Sequence, residues 1–151
     1  MGQLNWKRLI LGGLLAGLII DASEALVNGV IFAGAWDSVM ANLNRPTAFS
    51  MKQMVALNLW GFITGIATMW FYASIRPRYG AGPRTAVIAG AGMWLMAYAL
   101  GGAFPVIVHI FPRRLSAITL AIALVEAIVA ALVGAMVYKE ESQPMSRAAA
   151  S

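Results

Sequence analysis

The sequence predicts an all-α protein: an integral membrane four-helix bundle with a short interfacial helix between the first and second spans. Three observations lead there. Of 151 residues, 60% are hydrophobic and only 11% charged, whereas soluble domains carry about 25% charged residues. Four apolar segments each approach the ~20 residues that a helix needs to cross a bilayer. The connections between them hold five of the six prolines and most of the basic residues.

Composition also removes whole classes of function. There is no cysteine, so disulfides, thiolate metal sites and redox pairs are excluded. The net charge of +5 comes from basic residues scattered in ones, twos and threes between apolar runs. That pattern suits topology and lipid headgroups, and no nucleic-acid partner is expected.

The first span is expected over about 9–32, from Leu9 to Phe32. Lys7 and Arg8 followed by an apolar run, with Ser23 and Ala25 at small-residue spacing, resemble a cleavable signal. Glu24 between those small residues, and an apolar stretch that continues to Phe32, speak against cleavage. In the first connection Trp36, Val39, Met40 and Leu43 recur at helical spacing on one apolar face, as a helix lying in the membrane interface would place them. Pro46 ends it. Ser50 and Gln53 then match a capping box opening the second span, over about 55–75.

The stretch "RPRYGAGPR" reads as a tight basic loop, and the third span is expected over about 85–103. Pro105 interrupts an apolar run there, so a kink or a stop is expected. Pro112 to Arg114 form a short third connection, and the fourth span covers about 115–138. Residues 1–138 thus make one transmembrane domain, and 139–151 read as a disordered cytoplasmic tail. One set of ends carries seven basic residues (Lys7, Arg8, Arg76, Arg78, Arg84, Lys139, Arg147), the other four (Arg45, Lys52, Arg113, Arg114). The positive-inside rule therefore places both termini in the cytoplasm.

Candidate functional residues come from the faces of these helices. Gly13, Gly17, Asp21, Glu24 and Asn28 fall on one stripe about 80° wide. The second span carries Asn58, Gly61 and Gly65 on one side, and the fourth carries Glu126 beside Thr119, Ala123 and Ala130. Gly13/Gly17 and Gly61/Gly65 are expected as helix-packing pairs, since small residues let backbones approach. The expected depths put Asp21 and Glu126 near mid-membrane and Glu24, Asn28 and Asn58 in the outer half. A polar pocket open to the extracytoplasmic side follows.

An acid at the bilayer centre costs at least ~2.5–3.5 kcal/mol. Asp21, Glu24 and Glu126 avoid that cost if they are protonated, face internal water, or hold a cation. Carboxyls bonded to Asn28, Asn58 or Thr119 as glue between helices fit the same residues. His109, the single histidine, has no second nitrogen or evident carboxylate partner, and no Glu-x-x-His pair exists for a di-iron bundle. No metal or cofactor is expected, and no nucleophile–base–orienter set marks an enzyme. Arg76, Arg78 and Arg84 are candidates for headgroup contact. Trp36, Trp60, Trp70, Tyr72, Tyr79 and Tyr138 are expected mostly near span ends, as an aromatic belt.

The segments "NWKRLILGGLLAG", "FYASIRPRYGAGPRTAVIAG" and "LVEAIVAALVGAMVY" resemble a group of small uncharacterised bacterial inner-membrane proteins. The likeness runs from Asn5 to Tyr138. It implies four spans, a bacterial inner-membrane location, and group roles for Glu24, Glu126 and the Arg76–Arg84 loop, but no chemistry.

Two functions remain from different classes. One is a carboxylate-lined site that binds or passes a proton, cation or small basic solute. The other is a structural or accessory bundle, either a homo-oligomer or a subunit of a membrane complex, with the glycine pairs as its contact surfaces.

Overall fold

A computed structural model describes residues 4–139. The tail expected to be disordered lies almost wholly outside the described residues. Helix α1 spans Trp6–Leu26 and runs on through a π-helical turn, Val27–Ile31. A short helix α2, Ala33–Asn42, follows, and then the long α3, Met51–Tyr79. Helix α4, Pro83–Met93, passes through a second π-helical turn, Trp94–Ala99, into α5, Leu100–Ile107. Helix α6 covers Arg113–Val137.

Four of these runs are long and apolar enough to cross a membrane: Trp6–Ile31, Met51–Tyr79, Pro83–Ile107 and Arg113–Val137. The outward surface agrees, since Leu14, Leu18, Val30, Ile63, Val125 and Met136 all stand exposed. A soluble monomer rarely exposes so much apolar area. Each span is longer at one or both ends than the apolar run suggests, because capping and turn chemistry set where a helix stops.

The start of α3 shows this. Ser50 Oγ accepts from Gln53 N, and Ser50 N donates to Gln53 Oε1 at 2.8 Å, closing the expected capping box. It begins the helix four residues before the apolar run at Val55. We expect Ser50→Ala to lower stability by about 1 kcal/mol, read as an earlier midpoint in an SDS unfolding titration of the detergent-solubilised protein. At its other end α3 runs through Pro77, which the sequence places in a loop. The chain turns only at Gly80 (φ +85°) and Gly82 (φ +130°), where backbone conformations favouring glycine are needed.

The third span likewise passes through Pro105, where a kink or stop is expected, and ends at Ile107. The proline ring meets the backbone of the residue four positions earlier.

The packing is antiparallel and built on glycine. Gly13 faces Ile66 while Gly17 faces Phe62, so α1 and α3 run in opposite directions; a Cβ on Gly17 would sit 2.7 Å from the Phe62 Cα. Gly65 completes the crossing against the backbone of Gly13 and Gly17. Gly12 meets Gly134 where α1 crosses α6, and Gly90 meets the Ala127 carbonyl where α4 crosses α6. The glycine pairs expected at an assembly interface are therefore used within the chain, between its own first and second spans.

Buried side chains concentrate at the end where α1 begins and α6 finishes: Leu9, Met69, Tyr72, Ala73, Ala86, Ala89 and Tyr138 form one cluster. By contrast, α5 has no buried residue. The second half of the third span stands away from its neighbours.

Candidate functional site

That separation makes a cavity of about 420 Å³ between α1, α2, α5 and α6. Its polar wall consists of Glu24, Asn28, Trp36 and Tyr98, with Thr119, Ser116 and Arg113 toward the start of α6. The remainder is apolar, including Ala103, Val106, Ile107, Phe111 and Leu120.

A directed hydrogen-bond chain holds the acid. Trp36 Nε1 donates to Asn28 Oδ1 at 2.9 Å, and Asn28 Nδ2 donates to Glu24 Oε2. Indole N–H is a donor only, so it fixes the asparagine carbonyl and turns the amide N–H toward Glu24. Trp36 also packs edge-to-face on Phe111, with ring centroids 5.4 Å apart. The short helix α2 thus folds back over the cavity, and Trp36 is a site residue where an aromatic belt is expected.

Both π-helical turns lie at this level. Asn28 sits on the first, and Tyr98 and Ala99 on the second. Such turns insert one extra residue and occur frequently at functional sites. Phe32 N bonds Val27 O at 2.9 Å, five residues back, in the first of them. Trp94 Nε1 donates to Leu120 O at 2.9 Å and ties the second to α6.

Below the cavity lies Glu126, only 6% exposed. Tyr98 Oη donates to its Oε1 at 3.2 Å, and Ser23 of α1 lies near enough to act on the carboxyl. Glu24 of the first span thus lies near enough to act through charge on both Glu126 of the fourth and the Tyr98 bonded to it. Asp21 does not join them. Its carboxylate lies on Gly61 of α3, where a Cβ would collide with it, and its Oδ2 is buried without a hydrogen-bond partner. It acts on the other two acids only through charge.

The other expected residues separate as well. Asn58 is exposed, and its amide donates to its own helix at Met54 O, 2.8 Å away. Arg78 and Arg84 stand exposed, whereas Arg76 is half-buried with its guanidinium 5.4 Å from the centre of the Tyr138 ring. Tyr72 and Tyr138 pack edge-to-face at 5.9 Å inside the bundle, so they too leave the expected belt. His109 sits in a left-handed turn (φ +59°), its Nε2 2.9 Å from Arg113 Nη2. Among the described residues, no three His, Asp or Glu side chains gather as a metal-binding set.

Sequence reasoning missed Tyr98 and Ser23. Tyr98 has no periodic polar neighbours in its span, and only the fourth-span acid gives its hydroxyl a purpose.

The described residues define an all-α membrane protein with four spanning helices and, between them, a mostly apolar cavity that carries Glu24 in its wall. Comparison with models of known families, with curated proteins and with solved structures finds no match to this chain.

Proposed function

We propose that this membrane protein binds a small organic cation, an amine or quaternary ammonium with an apolar body, in the cavity headed by Glu24. One observation carries the reading: an acid held by Asn28 and Trp36 lines an otherwise mostly apolar cavity. The volume falls in the range of small-molecule sites. Trp36, Phe111 and Tyr98 add aromatic rings, which attract cations through their negative faces. Placement in a bacterial inner membrane with cytoplasmic termini rests on the charge count and the family likeness.

Equilibrium dialysis with radiolabelled benzyltrimethylammonium tests the reading. Saturable binding by the detergent-purified protein is expected. Ala103→Trp should weaken it at least about tenfold by filling the cavity, and because α5 has no buried residue the fold should tolerate the change. Absence of saturable binding in the wild-type chain would end the proposal.

A structural or accessory role is the second reading. The observation favouring it is the second half of the third span, which buries nothing within the chain. Against it, the glycine seams are already occupied. Purification as a monomer with nothing attached would count against it further.

A further inference from the structure

Glu126 has no place in the cavity wall, yet it is joined to that wall by a single hydroxyl. Tyr98 lines the cavity, and its Oη donates to Glu126 Oε1 at 3.2 Å. Among the described residues, the groups acting on Glu126 are the hydroxyls of Tyr98 and Ser23 and the acids Glu24 and Asp21, with no cation among them. The second span contributes no titratable group to this set.

Resting on the cation-binding reading, we infer that Glu126 is a proton site whose occupancy opposes that of the Glu24 pocket, with the Tyr98 hydroxyl as the link. A phenol has one hydrogen to give and lone pairs to receive. While Glu126 is a carboxylate, that hydrogen is committed to Oε1, and the negative end of the phenol dipole is left for the cavity. A cation beside Glu24 is favoured by that dipole and by the second nearby negative charge.

Protonation of Glu126 reverses both effects. The carboxyl O–H now donates to the phenol oxygen, the phenol hydrogen is freed toward the cavity, and one negative charge is lost. A donor pointing at a cation is unfavourable. The proton balance is simple: entry of one cation favours release of one proton from Glu126, and uptake of that proton favours exit of the cation. Coupling of this kind is reciprocal by thermodynamic necessity. It gives the pocket the property an exchanger of protons for organic cations requires.

The test measures benzyltrimethylammonium affinity between about pH 5 and pH 8. The probe is a permanent cation, so any pH dependence belongs to the protein. In the wild-type chain affinity is expected to fall with pH, with proton release on binding read by an indicator dye in weak buffer. Glu126→Gln imitates the protonated acid: it should bind about tenfold more weakly at alkaline pH, with a pH slope smaller by one proton. Tyr98→Phe should reduce the slope by a smaller amount.

A Glu126→Gln chain with the wild-type slope and proton release overturns the inference and leaves cation binding standing. If that variant does not fold, Tyr98→Phe decides, and an unchanged pH profile overturns it. A Glu24→Gln chain that binds like wild type removes the pocket reading itself, and this inference with it.

Discussion

A Gly65→Leu chain is expected to lose the packing of its first two spans. The added Cβ would run into the Gly13 carbonyl and the Gly17 backbone, and Gly17 is itself pressed against Phe62. Backbone cannot turn aside as a flexible side chain can, so the helices must separate. Overpacking ordinarily costs about 1–3 kcal/mol, and a clash with two backbone segments should cost at least ~3 kcal/mol on that scale. The SDS unfolding midpoint should fall sharply, with much of the protein unfolded in mild detergent. Gly29→Ala is the control, since a Cβ there meets nothing within 4 Å; it should stay within about 0.5 kcal/mol of wild type. Equal stability of the Gly65→Leu and wild-type chains would refute the α1–α3 crossing described above.

The second large effect concerns the pocket acid. Glu24→Gln keeps the shape and a bond to Asn28 while removing the charge. Interactions that involve a charged group contribute about 1.5–3 kcal/mol, so benzyltrimethylammonium affinity should fall by roughly 10- to 150-fold. Asp21→Asn should leave binding within about threefold, because Asp21 faces α3 and acts on the site only through screened charge. Its stability should hold or rise, since its Oδ2 is buried without a partner and the amide removes a charge from the bundle. Equal losses in the two variants would mean that the acids work as one cluster, contrary to the geometry.

That contrast shows where spacing stops being informative. Asp21 and Glu24 share a helix stripe, and their sequence positions give no reason to separate them. Gly61 on another helix makes room for Asp21, while Asn28 and Trp36 take Glu24. A stripe fixes which residues share a side of one helix, not which neighbour each will meet. The π-helical turns add to this, because one extra residue shifts the phase of everything beyond it by about 100°. Asn58 went astray for a related reason. It belongs to a polar seam by spacing, but it lies in the part of α3 beyond the closest crossing, where its amide turns back to Met54.

The aromatics divide along the same line. Trp60, Trp70 and Tyr79 stay on the outward surface. Trp36, Tyr72 and Tyr138 have the same composition signature, but each gains a partner from a distant part of the chain.

The four spans, the short helix between the first two, the Ser50–Gln53 cap and the small-residue character of the crossings were legible along the chain. Each of these depends on hydrophobicity and local hydrogen bonding along one segment, which the order of residues states directly. It took the packing of the helices to show that the glycine pairs are used within the chain, that Glu126 bonds Tyr98 within reach of the Glu24 charge, and that Asp21 stands apart on Gly61. Those outcomes depend on the angle and depth at which separate helices touch. That relation is set by the packing of all four spans together and is written in no single one of them.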